Sequence, residues 1–314
     1  MQFRRLATEP LIGPHMDARM GDNICGPSVI RLPPWVERPL GRYYLYFADH
    51  CGSYLRLAFA DDPRGPWRMH EAGCLELADS RFCTRVPENP QPPTGWTGDA
   101  HSWRRFLYPH LASPDVHVDE ERGEIRLYFH GLLDNGDQLT RVALSRDGLH
   151  FEVREPLLAP CYLRAFRHAD HWYGLAWPDR LWRSPDGLAA FERGPALLPA
   201  NTRHVGLLAE GDELHLLWSQ TGEAPERLYY GRVDLRGDWR GWRCEGRREV
   251  LRPELEWEGA NEPLEAADLG ASTRRVNQLR DPFLLRDADH LLLYYVGGGE
   301  CGIGLAEAVV QPVV

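Results

Sequence analysis

Acidic, imidazole and guanidinium side chains recur at the beginnings of repeated sequence units that lie far apart along this chain. Carboxylates and imidazoles exchange protons, and arginines bind hydroxyl or carboxylate groups, so such a set suits acid–base chemistry on a polar substrate. The candidates are Asp22, Asn23, Asp115, Arg164, His204, Arg280 and Asp281. They form one site only if the fold brings the beginnings of the units together.

The elements that position these residues are five similar units of roughly forty residues each. Each unit has a short strand, a charged turn, an aromatic-rich strand and a further alternating strand. The units run over Gly26–Trp67, Ser113–Val153, Tyr162–Arg193, Arg203–Trp242 and Leu279–Ala308. Their aromatic-rich strands read RYYLYFA, EIRLYFHG, HWYGLAW, ELHLLWSQ and HLLLYYVG. No sustained helical period interrupts them, so we expect few helices.

The repeat predicts an all-β fold, a single five-bladed β-propeller over residues 1–314 with four antiparallel strands per blade. The expected blades are residues 24–77, 112–157, 161–198, 203–251 and 277–309, with long loops at 78–111 and 253–276. A β-sandwich of similar strand count is the alternative. In a propeller the innermost strands line a central channel, so their beginnings meet at one mouth.

Composition excludes several classes of function. The net charge of −10 argues against a nucleic-acid partner held by its phosphates. The chain has no lysine, which excludes a P-loop, a protein-kinase lysine and a Schiff-base lysine. Seven scattered cysteines without metal-type spacing favour reduced thiols and a cytoplasmic location. The sequence shows neither a signal peptide nor a membrane-spanning stretch, so we expect no membrane partner.

Two short motifs carry a resemblance to a known family. SPDV at Ser113–Val116 is similar to the Ala-Pro-Asp-Val of the second blade in glycoside hydrolase family 43, and RDPF lies at Arg280–Phe283. The chain therefore resembles the five-bladed propeller glycosidases from about Asp22 to Glu307. The resemblance implies hydrolysis of an oligosaccharide or glycoside between two carboxyl groups. It also implies that Asp115 orients the acid and tunes its pKa; the alternative is an aspartate that closes a turn.

The sequence departs from the family at two catalytic positions. The base of the family lies in an Asp-Pro pair that opens blade one, where this chain has Gly26 and Pro27. The general acid is a glutamate that opens blade three, where this chain has Tyr162 and Arg164. The substitutes we consider are Asp281, which also precedes a proline, His204 as an acid, Asp22, and Glu258, Glu262 or Glu265 from the acidic loop. A hydrogen-bonded channel histidine and a structural Arg280–Asp281 ion pair are the alternatives.

Substrate binding is expected from Asn23, Tyr162, Arg164, Arg280 and Trp103, and Trp96 is a further candidate on the same long loop. No metal cluster is evident and no cofactor is expected, although the resemblance admits a cation in the channel near His204. A glycosidase is the leading hypothesis for the function. A non-catalytic sugar-binding propeller, and a phosphorylase or lyase, remain open at this point.

Overall fold

Four-stranded antiparallel sheets follow one another along the chain in the computed structural model, which describes residues 1–93, 99 and 101–309. The chain begins with β1 (Phe3–Arg5). Blade one contains β2 (Cys25–Arg31), β3 (Tyr43–Ala48), β4 (Tyr54–Ala60) and β5 (Arg68–Glu76). Blade two contains β6 (Leu111–Asp119), β7 (Glu124–Leu132), β8 (Gln138–Ser145) and β9 (Glu152–Val153).

The remaining three blades repeat this order. Blade three contains β10 (Arg164–His168), β11 (His171–Ala176), β12 (Arg180–Ser184) and β13 (Glu192–Ala196). Blade four contains β14 (Thr202–Glu210), β15 (Glu213–Gln220), β16 (Leu228–Asp234) and β17 (Glu245–Leu251). Blade five contains β18 (Leu279–Asp287), β19 (His290–Gly297) and β20 (Gly302–Ala308).

Blade five receives its fourth strand from the other end of the chain. β1 pairs antiparallel with β20, with Phe3 opposite Ala308 and Arg5 opposite Ala306. This pairing closes the circle of blades, because it ties the first strand of the chain to the last. The predicted five-bladed propeller with four antiparallel strands per blade is thereby confirmed.

Apolar side chains fill the interfaces between neighbouring blades. Five clusters of buried residues lie between blades one and two, two and three, three and four, four and five, and five and one. The second strands contribute fully buried residues such as Leu45, Leu216 and Leu293. Each such leucine stabilises the fold by about 1.5–3 kcal/mol relative to an exposed one. The aromatic-rich repeat is therefore the core of the molecule and holds the inner strands in place.

Within residues 1–93, 99 and 101–309, helical structure is limited to three short 3-10 helices at Leu77–Asp79, Ser102–Phe106 and Trp239–Gly241. In the described part of the chain, no helix has the length and hydropathy that crossing a membrane requires.

One mouth of the channel carries two sets of residues. Each innermost strand begins beside the end of the second strand of its blade, since Cys25 pairs with Ala48, Thr202 with Gln220 and Leu279 with Gly297. The beginnings of the inner strands and the turns after the second strands therefore lie at the same mouth.

Candidate functional site

Three inner strands begin with the same backbone irregularity. Gly26, Ser113 and Asp281 each precede a proline, and their φ angles are 63°, 52° and 47°. In each strand the pairing register shifts across this residue. A non-glycine residue in the left-handed region is strained, and such strain is concentrated at functional sites. Of these three equivalent positions, only the one in blade five carries a carboxyl group.

The Asp281 carboxyl group is directed at blades one and four. Its Oδ2 accepts a hydrogen bond of 3.2 Å from the N–H of Gly26, and its Oδ1 lies 3.2 Å from Nδ1 of His204. Those last two atoms are close enough for an ion pair but are not aligned for a hydrogen bond, so neither has a hydrogen-bonding partner among the described residues. An unpaired buried donor and acceptor side by side indicate a place for water or a ligand.

Burial dominates the protonation of this pair. Asp281 is 2% exposed and His204 is 3% exposed. Burial raises the pKa of Asp281, the charge of Glu300 raises it further, and Arg164 and Arg280 oppose the shift. Burial, together with the positive charges of Arg203 and Arg280, holds the pKa of His204 well below its usual range. His204 is therefore a neutral imidazole, in which one ring nitrogen is a hydrogen-bond acceptor.

Asp115 lies on blade two, and both of its carboxylate oxygens have partners. Its Oδ2 accepts hydrogen bonds from Nε2 of His117 at 2.7 Å and from the N–H of Ala165 at 2.6 Å, and its Oδ1 lies 3.6 Å from Nη1 of Arg164. Burial alone would raise the pKa of Asp115, but the contacts with His117, Arg164 and Ala165 outweigh it and lower the pKa. Asp115 therefore stays ionised while Asp281 takes up a proton more readily.

Arg164 spans the channel between blades. Its Nη1 donates to the carbonyl oxygen of Pro114 at 2.5 Å, and its Nε donates to that of Val205 at 3.3 Å. Its charge acts on both Asp115 and Asp281. Arg164 thus links blades two, three and four and places one positive charge near both carboxyl groups.

A buried ionic cluster lies beside Asp281. Arg280 bonds Oε1 of Glu300 through Nη1 at 2.9 Å and lies 3.2 Å from Oε2 of Glu226 through Nη2. Glu226 also accepts a hydrogen bond from Ser219 at 2.6 Å, and Arg203 lies 3.7 Å from its Oε2. Arg280 therefore forms its ion pairs with two glutamates, whereas the alternative considered from the sequence was an ion pair with Asp281.

Aromatic and imidazole rings form a wall along the same mouth. The ring centroids of Tyr108 and His110 are 4.7 Å apart, those of His110 and His130 5.4 Å, those of His130 and Tyr162 4.6 Å, and those of Tyr162 and His204 4.9 Å. Burial lowers the pKa of His110 to about 4 and that of His130 well below its usual range. Burial also raises the pKa of Tyr162, so its phenol stays protonated. The wall is therefore uncharged at His110, His130 and Tyr162.

Two loops lie against this mouth. Residues 267–272, which we call the strap, accept hydrogen bonds from Arg203 at the carbonyl oxygens of Asp268 and Gly270. The strap also meets the 3-10 helix Ser102–Phe106, because Arg105 donates to both carboxylate oxygens of Asp268, at 2.8 and 3.0 Å. The strap thus ties the buried cluster to the long loop of residues 78–111.

The structure brings together most of the residues that the sequence selected, but not all. Asn23, Arg164, His204, Arg280 and Asp281 lie at one mouth with Asp115 and Tyr162. Asp22 has a side chain that is 83% exposed and pairs with His15 at 2.6 Å. Trp103 is 3% exposed within its 3-10 helix. Trp96 lies outside the described residues.

The three glutamates of the acidic loop that the sequence offered as substitutes contact residues other than Asp281 and His204. Glu258 bonds Arg5 at 2.7 and 2.8 Å and Tyr295 at 2.7 Å, so it anchors β1 at the outside of blade five. Glu265 bonds Arg274 within the loop. The backbone carbonyl of Glu262 accepts a hydrogen bond from Asn277.

Sequence reasoning missed His50, Glu226 and Glu300. All three lie in turns that follow second strands, whereas the selection used only the beginnings of first strands. Antiparallel pairing places these two kinds of position side by side. Polar residues just after the aromatic-rich segments, such as Glu300 after three glycines, were the available signal.

No three His, Cys, Asp or Glu side chains in the described part of the chain are arranged to hold a metal ion. His204 contacts the carboxylate of Asp281 and the ring of Tyr162.

Comparisons with known proteins give one relative in sequence and many in fold. No model of a known protein family matches the chain. "Uncharacterized protein R118" of Acanthamoeba polyphaga mimivirus is 31% identical over 307 residues, which covers 90% of this chain and 82% of that one.

Solved structures of glycoside hydrolase family 43 share the fold. A β-xylosidase/α-arabinofuranosidase, CoXyl43, from a compost microbial metagenome, in complex with xylotriose, is 12% identical with a TM-score of 0.60, covering 99% of this chain and 96% of that one. An enzyme from Xanthomonas citri is 12% identical with a TM-score of 0.61, and the match covers 97% of this chain and 91% of that one. An α-L-arabinanase from Cellvibrio cellulosa, complexed with arabinohexaose, is 13% identical with a TM-score of 0.54, and the match covers 92% of this chain and 93% of that one. At these identities the likeness concerns the fold.

Proposed function

Because the chain belongs to the same family as the mimiviral protein R118 and has the fold of family-43 glycoside hydrolases, we propose that it hydrolyses a glycosidic bond at the mouth that carries Asp281. The substrate class is an oligosaccharide or glycoside. The solved relatives that hold xylotriose and arabinohexaose support this class, since they share the propeller.

The observation that carries the proposal is the Asp281–His204 pair. A buried carboxyl group with a raised pKa lies 3.2 Å from an imidazole that is held neutral. The neutral imidazole keeps one ring nitrogen as an acceptor, and the raised pKa makes Asp281 a stronger base than an ordinary aspartate, so the pair suits the activation of water. A base role fits His204 better than the acid role considered from the sequence.

Asp115 and Arg164 complete the electrostatics of this site. Asp115 stays ionised because of His117, Arg164 and Ala165, whereas Asp281 is pushed toward its protonated form. Two carboxyl groups whose environments move their pKa values apart are typical of acid–base sites. In the proposed reaction Asp115 fixes Arg164, and the positive charge of Arg164 stabilises the ionised form of Asp281.

A sugar-binding propeller without catalysis is the second candidate, and burial favours it. Asp281, His204 and Asp115 are each no more than 3% exposed, so a substrate needs some opening of the mouth to reach them. A lyase that uses Tyr162 as a base is disfavoured, because burial raises the pKa of that phenol. A phosphorylase is disfavoured as well, because carboxylates or carbonyl oxygens already bond Arg164, Arg203 and Arg280.

The experiment is release of chromophore from 4-nitrophenyl arabinosides, xylosides, galactosides and uronides by the wild type and by Asp281→Asn. Asparagine tolerates the left-handed backbone of this position and keeps an oxygen for the Gly26 N–H, so the variant should fold. We expect a loss of turnover of about 10²- to 10⁴-fold, the usual contribution of a general base.

Asp22→Asn is the matched control, because it makes the same chemical change at an exposed carboxylate outside the group. Unchanged turnover in the control with a loss in Asp281→Asn supports hydrolysis at this mouth. Equal turnover in both variants contradicts the site. Absence of turnover in the wild type, together with a melting temperature that rises with added xylotriose or arabinohexaose, favours the sugar-binding alternative.

A further inference from the structure

His50 occupies the same mouth as Asp281 and is bound to a second buried carboxylate. It lies between β3 and β4, is 5% exposed, and its Nδ1 is 3.0 Å from Oε1 of Glu300. Its backbone N–H donates to Oδ1 of Asn23 at 2.9 Å. The side-chain nitrogen of Asn23 donates in turn to Oε2 of Glu300 at 2.5 Å. The imidazole is therefore held in one orientation from two directions.

Glu300 is a firmly ionised partner for this ring. Besides His50 and Asn23, it accepts hydrogen bonds from Nη1 of Arg280 at 2.9 Å and from the N–H of Ser272 at 3.1 Å. Burial opposes its charge, but His50, Arg280 and Arg203 outweigh burial and hold its pKa far below the usual range. A carboxylate so fixed orients an imidazole in the manner of the aspartate in a catalytic triad.

The second ring nitrogen of His50 is the one that remains for a further contact. Since Nδ1 faces Glu300, Nε2 lies on the other side of the ring, and no described residue bonds it. The ring lies 6.3 Å from that of Tyr108, and its charge acts on the three other imidazoles of the mouth. The titratable and charged groups around it are Asp49, Cys51, Arg56, Tyr108, His110, His130, His204, Arg280 and Glu300.

With the Asp281–His204 pair assigned as the base, the proposed hydrolysis needs a proton donor from another residue. The leaving oxygen of a glycoside needs a proton when the C–O bond breaks. At the start of blade three, Tyr162 holds its proton because burial raises its pKa, and Arg164 does not give one up. His204 is kept neutral by burial and by Arg203 and Arg280. His50 carries an imidazole, whose ring N–H groups are donors when the ring is protonated.

On the basis of the proposed function, we propose that His50 is the catalytic proton donor of this site and that Glu300 is its positioning residue. His50 Nε2 gives its proton to the glycosidic oxygen as the bond from that oxygen to the anomeric carbon breaks. Water attacks the anomeric carbon, and its proton passes to the Asp281–His204 pair. Exchange of one proton with solvent at each group restores the starting state, so the net reaction consumes one water.

The test compares two leaving groups on one sugar. The 2,4-dinitrophenolate group leaves its glycoside without being protonated, whereas the phenolate group of the phenyl glycoside needs a proton to leave. For His50→Ala we expect kcat/KM on the phenyl glycoside to fall about 10²- to 10⁴-fold, and that on the dinitrophenyl glycoside to fall less than about tenfold. His50→Asn provides a second variant, since its amide can replace Nδ1 toward Glu300 while Nε2 is lost. His15→Ala, at an exposed histidine, is the control.

The outcomes separate this inference from the function on which it rests. An equal loss on both leaving groups in His50→Asn, with an unchanged melting temperature, overturns the proton-donor role. A wild type that turns over neither glycoside overturns both proposals. A leaving-group effect at His50 combined with full activity of Asp281→Asn supports the donor and contradicts the proposed base.

Discussion

The backbone N–H of Gly26 in blade one donates a hydrogen bond of 3.2 Å to Oδ2 of Asp281 in blade five. Gly26 stands where the resembled hydrolases open blade one with an aspartate, and a Cβ there would lie 3.2 Å from the Cα of Ser113. The carboxyl group of Asp281 in blade five therefore lies against Gly26 in blade one, a position without a carboxyl group. The glycine leaves room for that approach and supplies the donor that holds it.

Gly26→Ala tests this relationship. The φ of 63° and the close contact with Ser113 both oppose a Cβ, so we expect the free energy of unfolding to fall by about 1–2 kcal/mol. We also expect turnover to fall, because the donor to Asp281 must shift. Gly21→Ala is the matched control, since a Cβ at Gly21 meets nothing within 4 Å. Denaturant unfolding of both variants measures the difference, and equal stability would contradict the strain argument.

Asp281→Asn should stabilise the folded protein while it removes activity. Burial raises the pKa of Asp281 above its ordinary value of 3.8, so ionisation penalises the folded state. The stability contributed by the protonated form is complete below 3.8 and is lost as the pH rises through the raised pKa. Asparagine cannot ionise, so we expect the variant to unfold at a higher temperature than the wild type near neutral pH.

The pH dependence of that gain is the decisive measurement. The gap in melting temperature between Asp281→Asn and the wild type should narrow as the pH falls toward 3.8. Asp22→Asn, at an exposed carboxylate, should show little gap at any pH. A wild type more stable than Asp281→Asn near neutral pH would mean that the ion pair with His204 outweighs burial.

The repeated aromatic strands predicted the blades because their period and their turns are local properties of the sequence. The mouth was predicted only in part, since which residues meet there depends on pairing between strands. Asp281, His204 and Asp115 were found because they open first strands. His50 and Glu300 follow second strands, and they reach the same place only because those strands run antiparallel to the first. Likewise, the sequence does not indicate that β1 completes blade five, because Phe3 pairs with a residue at the opposite end of the chain.

Glu300→Gln should destabilise the protein strongly at neutral pH. Its carboxylate is the buried partner of Arg280 and His50, and removing one member of a buried ion pair typically costs about 3–5 kcal/mol. Because contacts lower its pKa below the ordinary 4.5, its contribution is present above that value and is lost as the pH falls through the lowered pKa. Denaturant unfolding over pH measures this, and the deficit of the variant should shrink in acid.

The matched control for that variant is Glu265→Gln. Glu265 makes a two-pronged contact with Arg274, at 2.6 and 2.7 Å, but in an exposed loop. Exposed pairs contribute about 0–1 kcal/mol, so we expect a small effect at all pH values. If the free energy of unfolding falls no more in Glu300→Gln than in this control, the buried cluster contributes little net stability.

Arg105→Ala should loosen the strap without unfolding the blades. Arg105 and Asp268 form the exposed ion pair that joins the strap to the 3-10 helix Ser102–Phe106, and its loss removes at most about 1 kcal/mol. If the strap must open for a substrate to reach Asp281, amide exchange of residues 267–272 should accelerate by up to about fivefold, while exchange in β3 and β19 stays unchanged. Arg167→Ala, which removes an exposed pair with Glu121 on blade three, is the control and should leave the strap unaffected. Faster amide exchange of the strap together with a higher kcat/KM would identify strap opening as the step that admits substrate. Unchanged exchange would mean that the strap is anchored by Arg203 and Glu300 instead, because their contacts with Gly270 and Ser272 remain in the variant.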